Sequence, residues 1–256
     1  MSSADPPTPG WRNLLREIPV LAAAVLAYWG GRGLTEGSYE DAVANAGRLI
    51  SLEQRLGIYH EIRLQGLIID HQSMVTLMNW VYMWGHWPVI AVCALWLFFC
   101  RPSAYFLLRN AFLVSGAIGL VIFVAFPVAP PRLTGIEVAD TITLHSHSYR
   151  VLQPPAFVNQ YAAMPSLHFG WNLLIGGGMA REATRMPVRV ACGLLPAAMA
   201  IAVVLTANHF IIDVIAGGAV AIFGLLVAWR IRSFLLRLPP ARLRLLRRWS
   251  GLPESP

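Results

Sequence analysis

The stretch FIIDVIAGGAVAIFGLLVAWRI, residues Phe210–Ile231, decides the fold class of this chain. Two charged residues interrupt its apolar character, Asp213 near the start and Arg230 near the end. About 20 mostly apolar residues in a helix are enough to cross the hydrocarbon core of a bilayer. The stretch therefore predicts a membrane-spanning helix that carries one carboxylate close to a membrane surface.

Five further stretches have the same apolar character, and all six together predict an all-α bundle of six transmembrane helices. The five are Leu14–Gly31, Met74–Cys100, Leu108–Phe126, Leu167–Ala180 and Val188–Thr206. Of the 256 residues, 56% are hydrophobic and 13% are charged, which is about half the charge of an average soluble domain. These values exclude a disordered chain and argue against an ordinary soluble enzyme. We predict one integral membrane domain over residues 1–256, with a polar tail at 1–12 and a basic tail at 237–256.

Two long connections separate the apolar stretches. The first, Tyr39–Asp70, has apolar residues at helical spacing (Leu49, Leu52, Leu56, Tyr59) among charged ones. This pattern predicts a helix lying on the membrane surface between spans one and two. The second, Val128–Ala163, is rich in Pro, Ser, His and Thr, and we expect an ordered loop or lid there.

The arginines predict the orientation in the membrane. All 20 basic residues are arginine, and six spans place 14 of them on the side that carries both termini. Because cytoplasmic loops are enriched in basic residues, both termini should be cytoplasmic and both long connections should face outward. With so apolar a chain, the net charge of +7 points to an anionic membrane surface rather than to nucleic acid. We therefore expect a multi-pass protein of the plasma membrane.

This topology brings three separated segments to one outer face: Pro127–Arg132, Met164–His168 and Asn208–Asp213. Ionisable groups at membrane depth are functional candidates by default. His209 and Asp213 are four residues apart, so on a helix they would share a face. The carboxylate would then fix the imidazole tautomer and leave the other ring nitrogen free as a base or nucleophile.

The other two segments supply an acid and anion-binding groups. His168 is suited to donate a proton to a leaving oxygen. Pro165-Ser166 before an apolar run predicts a helix N-terminus, which favours an anion. Arg132 adds a forked cation that matches phosphate geometry. Together these groups indicate a phosphoryl-transfer site that needs no metal.

Two other classes of protein remain open at this point. A membrane transporter or scaffold could use buried His and Asp side chains along a proton or ligand path. A haem-binding redox protein could use membrane histidines as axial ligands. A separate candidate for metal binding is the loop group Asp140, His145 and His147.

Pro165-Ser166-Leu167-His168 and His209-x-x-x-Asp213 resemble the second and third signature blocks of the type 2 phosphatidic acid phosphatase superfamily. The branch similar to fungal inositol phosphorylceramide synthase matches more closely. It shares Pro-Ser-Leu-His, an aromatic residue after the last histidine (Phe210) and Pro130-Pro131-Arg132. Leu52-Glu53-x-x-Leu56-Gly57 followed by Glu61, then Tyr82 and His86, is also similar to this branch. The resemblance extends from about Arg48 to Gly217.

The resemblance implies an integral membrane enzyme that acts on a lipid-linked phosphate without a metal or other cofactor. His209 would be the nucleophile that forms a phosphohistidine, and Asp213 would orient it. His168 would protonate the leaving group. Arg132 and the backbone around Ser166 would hold the phosphoryl oxygens.

The chain departs from the superfamily pattern at two places. Ala202 and Val203 stand where the superfamily has Ser-Arg, and the lysine of its first block is absent. Asn208, Arg150 or a loop residue could replace the missing phosphate-binding arginine. These gaps favour phosphotransfer between lipids, or to an alcohol, over simple hydrolysis. The donor, the acceptor and the oligomeric state stay open from sequence.

Overall fold

The computed structural model describes residues 10–34, 38–145 and 159–237, and almost all of its regular structure is α-helical. The ten helices of this part are α1 (Trp11–Leu34), α2 (Tyr39–Leu56), α3 (Glu61–Gly66), α4 (Gln72–Trp84), α5 (Trp87–Cys100), α6 (Pro102–Ala125), α7 (Thr141–His145), α8 (Leu167–Glu182), α9 (Met186–Leu205) and α10 (Ile211–Leu235). Pro131–Leu133 forms a turn of 3₁₀ helix. Between the described residues, β-type pairing is limited to one isolated bridge, Val128 with Ala162. The predicted all-α class is confirmed.

Helix α8 packs against both α9 and α10, and α10 also packs against α6. The contact between α8 and α10 is unusually close because glycines face each other there. A Cβ on Gly170 would lie 2.5 Å from the carbonyl oxygen of Gly217, and a Cβ on Gly217 would collide with the carbonyl group of Ser166. Any larger side chain at either position would separate the two helices. The glycines thus press the start of α8 against the first turns of α10.

Three helices are long and apolar enough to cross a membrane, namely α6, α9 and α10. Helices α4 and α5 make a fourth candidate if they are counted as one broken span, and they are bent by 44°. The sequence predicts a single span, Met74–Cys100, for this pair. The break falls at Gly85-His86, and Pro88 in the first turn of α5 has no N–H to continue the hydrogen bonding of α4. Helices α1 and α8 do not meet the same criteria, so the structure supports three or four of the six predicted spans.

The first connection is not one helix but two, α2 and α3. Gly57 ends α2 with a left-handed φ of 70°, a backbone conformation that glycine adopts without a steric cost. Two of the apolar residues at helical spacing, Leu52 and Leu56, are 40% and 59% exposed and do not form the face that packs against the protein. Glu53 is buried instead, together with Leu49. The reason is that the Glu53 carboxylate binds the backbone of α10.

The second connection is described as far as His145 and again from Asn159. Its described parts are tied to α2, α3 and α4. Ala129 donates its N–H to the carbonyl of Ala42, the Gln65 side chain bonds Ala139, and Asn79 exchanges hydrogen bonds with Thr141. The Val128–Ala162 bridge joins the start of this connection to its end. Arg150 and His147 lie outside the described residues, as does the basic tail from residue 238 onward.

Candidate active site

The turn between α9 and α10 holds Asn208 and His209. Ala207 in this turn has a φ of 54°, a left-handed conformation that is uncommon for residues other than glycine. The conformation is stabilised on both sides, because the Ala207 N–H donates to Val204 and its carbonyl accepts the backbone N–H of Arg132. The N–H of His209 donates to the carbonyl of Val203. This strained turn therefore fixes His209 beside the Arg132 segment.

His209 and Asp213 lie close together, but for a different reason from the predicted one. Helix α10 begins at Ile211, so His209 precedes the helix and the two residues do not share a helix face. Asp213 instead reaches back over the helix start, where its Oδ2 accepts the N–H of Phe210 at 2.8 Å. This is the capping arrangement of a carboxylate in the first turn. The same Oδ2 lies 3.5 Å from His209 Nδ1, and both side chains are buried.

His168 is the second residue of α8, and its ring lies near that of His209. The two ring centroids are 6.0 Å apart. Tyr82 stacks on the His168 ring at 4.7 Å and His86 lies against it at 4.2 Å. Asn172 donates to His86 Nδ1 at 3.0 Å and to the His168 carbonyl at 2.8 Å. Rings from α4 and from the break before α5 thus hold His168 in place.

Ser166 caps α8, as the sequence predicts for a helix start at this position. Its hydroxyl accepts the N–H of Phe169 at 3.5 Å, and its own N–H donates to the carbonyl of Asp213 at 2.9 Å. Ser166 is fully buried. Its hydroxyl serves α8 in this structure, while its backbone connects the His168 segment directly to the His209–Asp213 segment.

Arg132 is oriented by Asn208. The Arg132 guanidinium donates to Asn208 Oδ1, and its Nε lies 3.6 Å from a carboxylate oxygen of Asp140. The amide nitrogen of Asn208 donates to both oxygens of Thr206, at 2.8 Å to the hydroxyl and 3.2 Å to the carbonyl. Asn208 thus uses its oxygen and its nitrogen within the protein, which fits a residue that positions Arg132 better than one that binds phosphate directly.

The described residues do not show Asp140, His145 and His147 gathered as a metal-binding group. Asp140 pairs with Arg132, the side chain of His145 is not among those described, and His147 lies outside the described residues. In the portion of the chain that is described, no group of three or more His, Cys, Asp or Glu side chains could hold a metal ion.

Two further carboxylates meet at the start of α10, and the sequence analysis does not place them in the site. Glu61 Oε1 accepts the N–H of Ile211 at 3.0 Å, and Glu53 Oε1 accepts the N–H of Ile212 at 2.7 Å. Both side chains are buried. Burial, as the largest cause, and the neighbouring Glu61 carboxyl together raise the pKa of Glu53 to about 8. The resemblance at Leu52-Glu53-x-x-Leu56-Gly57 and Glu61 was the signal that could have identified them.

The structure brings together side chains from three distant segments, as the topology predicts. Two imidazoles lie near each other, a carboxylate lies beside one of them, and a guanidinium is bound to the turn that precedes α10. A nucleophile with an orienting carboxylate, a second proton-transfer group and a cation are the parts that displacement at phosphorus requires.

The chain matches a protein-family model. A model described as PAP2 superfamily covers residues 47–227, a range that includes Arg132, His168 and His209. Neither the curated proteins nor the solved structures contain a match to this chain.

Proposed function

The chain belongs to the PAP2 superfamily and is a phosphatase-type membrane enzyme, and from this premise we propose that it transfers a phosphoryl group from a lipid-linked phosphate through His209. One observation carries the proposal. The centroids of the His168 and His209 rings lie 6.0 Å apart, and an Asp213 carboxylate oxygen lies 3.5 Å from His209 Nδ1. A transporter or scaffold would have no need for this arrangement.

In the first half-reaction His209 is the nucleophile. Its Nδ1 faces Asp213, so Nε2 is the nitrogen that attacks phosphorus. An N–P bond forms as the P–O bond to the leaving group breaks, and His168 donates a proton to the leaving oxygen. In the second half-reaction water or an alcohol gives its proton to His168 and attacks phosphorus. The N–P bond then breaks and free His209 is restored.

Arg132 and the start of α8 are proposed to hold the phosphoryl oxygens. The guanidinium matches phosphate geometry, and Asn208 aims it from the turn that also holds His209. The N-terminus of α8 adds the positive end of a helix dipole beside Ser166. Both groups would stabilise the charge that develops on the transferred phosphoryl group.

A cavity supports a lipid substrate. It has a volume of about 410 Å³ and lies between α1, α5, α6 and α8, with almost entirely apolar walls that include Trp87 and Trp171. His86 lies 5.1 Å from Trp87 and stacks on Trp171 at 6.0 Å, and on its other side it contacts His168. A hydrocarbon chain in this cavity would therefore extend toward the proposed proton donor.

The proposal keeps the predicted topology. Six spans, with α1 and α8 as the two short or less apolar ones, would place both termini in the cytoplasm and the site at the outer face of the plasma membrane. Helix α2 would lie at that surface, with the exposed Leu52 and Leu56 toward lipid. The junctions at Arg132, His168 and His209 occupy one end of the helices they join, which agrees with a site at one membrane surface.

We favour an inositolphosphotransferase-like reaction over hydrolysis. Ala202 and Val203, which stand in place of the Ser-Arg of the wider superfamily, are fully buried in an apolar cluster with Met199 and Tyr82. Neither position can offer a cation to phosphate. A site with one phosphate-binding arginine would suit a phosphodiester, which carries less charge than a terminal phosphate.

The test is an assay of the purified protein with labelled phosphatidylinositol, phosphatidic acid and polyprenyl diphosphate, with and without an alcohol acceptor. Replacement His209→Ala should abolish turnover, whereas the exposed His71→Ala should retain it. Unchanged turnover in the His209 variant would disprove the mechanism. Products that carry the label on the added alcohol indicate transfer, and release of free phosphate indicates hydrolysis.

A further inference from the structure

The start of α10 is capped by three carboxyl groups from three different elements. Asp213 of α10 accepts the N–H of Phe210, Glu61 of α3 accepts that of Ile211, and Glu53 of α2 accepts that of Ile212. The first N–H groups of a helix have no partner within the helix itself. Here every N–H from Phe210 to Ile212 has a carboxylate, and His209 directly precedes them. We call Glu53, Glu61 and Asp213 the carboxylate cluster.

Glu53 and Glu61 each have one carboxyl oxygen with a hydrogen-bond donor and one without. Each carboxyl uses Oε1 for a backbone N–H of α10, and each has a buried Oε2 without a hydrogen-bond donor. Both side chains are at most 1% exposed, and Glu61 lies close enough to Glu53 to act on it by hydrogen bonding and by charge. Two adjacent buried carboxylates cannot both be ionised at low cost.

A single proton on the pair supplies the missing hydrogen bond and removes one of the two negative charges. A proton on one Oε2 becomes a donor to the other carboxyl, so both orphaned oxygens gain a partner and one negative charge disappears. The groups that face this pair are Asp213 on α10, Tyr59 between α2 and α3, and His209 through Asp213. The carboxylates beside the pair disfavour a second charge on it.

We propose that Glu53 and Glu61 share one proton and act as a positioning pair that fixes the first turn of α10, and with it His209, from helices outside the predicted spans. The inference rests on the proposed function of His209. Neither glutamate contacts the reacting atoms. Their effect on turnover passes through the backbone of Ile211 and Ile212, which sets where Asp213 and His209 meet.

Substitutions that keep the hydrogen bonds distinguish the proposed positioning role of Glu53 and Glu61 from a purely structural one. In Glu53→Gln the amide oxygen can still accept the Ile212 N–H while the amide nitrogen donates to Glu61, which imitates the protonated pair. We expect this variant and Glu61→Gln to keep kcat within about threefold of the parent, whereas Glu53→Ala lowers kcat at least tenfold with a smaller change in KM. Glu40→Gln, at an exposed position of the same helix α2, is the matched control.

The pH profile and infrared spectra give two independent readouts. The parent should lose activity as the pair loses its proton above about pH 8, and the alkaline limb should move up by at least one pH unit in Glu53→Gln. A protonated carboxyl C=O band should be present at pH 7 in the parent and in Glu40→Gln, and absent in each single Gln variant at the pair. Superimposable pH profiles for the parent and Glu53→Gln, or the same infrared band in all variants, would overturn the shared proton.

The infrared measurement needs no turnover, so it separates this inference from the proposed function. If His209→Ala retains full activity, the mechanism fails while the carboxyl band still tests the pair. If the band is missing from an active parent, the pair fails while the mechanism stands.

Discussion

Two sites in this protein contain buried carboxylates, and different kinds of hydrogen-bond donor bind them. Glu17 on α1 faces Arg109 on α6, whose guanidinium donates to both of its oxygens at 2.7 and 2.9 Å, and the Tyr105 hydroxyl donates to it as well. The carboxylate cluster at the start of α10 is held by backbone N–H groups instead, and each of its members has one oxygen without a donor.

The two kinds of hydrogen-bond donor suit different roles of a buried carboxylate, one structural and one at the proposed site. An arginine that donates to both oxygens leaves neither of them without a hydrogen-bond partner. A backbone N–H satisfies one oxygen and leaves the other without a donor, so that it can still bind a proton. The Glu17–Arg109 pair therefore fastens α1 to α6, whereas the carboxylate cluster keeps bonding capacity beside His209.

The largest effect should come from removing the charge of Asp213. In Asp213→Asn the side-chain oxygen can still cap Phe210, but it no longer holds the His209 ring as a carboxylate does. We expect kcat to fall by about 10³–10⁴-fold, as orienting carboxylates of catalytic histidines show elsewhere, with little change in thermal stability. Turnover and unfolding of the same preparation should be measured together. Activity within tenfold of the parent would remove Asp213 from the mechanism.

The Glu17–Arg109 pair should show the reverse behaviour. Glu17→Ala leaves a buried guanidinium without its carboxylate, which costs about 3–5 kcal/mol of unfolding free energy. The kcat of the molecules that remain folded should stay unchanged, since the proposed reaction uses neither side chain. Arg109 lines the apolar cavity, so any kinetic effect should appear in KM. Glu17→Leu combined with Arg109→Met should recover much of the stability. A specific loss of kcat in a stably folded double variant would contradict the division of roles.

Asn208→Ala tests whether the cation of the site depends on an amide for its orientation. Removing the acceptor of a charged hydrogen bond costs about 1.5–3 kcal/mol, so kcat/KM should fall roughly 10- to 100-fold. Arg132 should keep its backbone bond to Ala207, and the fold should therefore persist. Replacement of Thr206 by Val removes one anchor of Asn208 and should give a weaker effect in the same direction. Equal kinetics in the parent and Asn208→Ala would contradict the assignment.

The most gradual effect, small over any one pH unit, is a dependence of stability on pH. Because burial raises the pKa of Glu53 from 4.5 to about 8, the folded state binds the proton more tightly than the unfolded state. The contribution to stability is complete below about pH 4.5 and is lost as pH rises toward 8, by at most about 1.4 kcal/mol per pH unit. Unfolding of the parent and of Glu53→Gln should be compared across this range. If the unfolding free energy of Glu53→Gln depends on pH with the same slope, a group other than Glu53 causes that dependence.

The sequence predicts the convergence of the site because that convergence follows from span order. Arg132, His168 and His209 each stand at the junction of an apolar stretch, and helices that alternate in direction bring alternate junctions to one side. The bend at Gly85-His86 and the break at Gly57 also have plain sequence causes in Pro88 and in glycine. What spacing could not show is that His209 lies before its helix, because an i,i+4 pair fits either a helix face or a cap.

The hydrophobic periodicity of the sequence cannot predict the roles of Glu53 and Asn208. Helical spacing groups Leu52 and Leu56 on an apolar face of α2, but it does not show which face packs against the protein. The start of α10 offers unpaired N–H groups, so a glutamate is buried there and leucines stay outside. Asn208 is similar, since only the folded turn shows that its oxygen meets Arg132 and its nitrogen meets Thr206.

By itself the sequence determined the all-α class and the apolar helices, because the low charge and the length of each apolar run depend on composition alone. It also predicted which segments carry the proposed catalytic side chains. Only the tertiary structure decided how these side chains are held: by a left-handed turn at Ala207, a cap at Asp213 and two glutamates from outside the predicted spans. Those contacts join residues up to 159 positions apart, and such pairings depend on which backbone groups remain unpaired once the helices have packed.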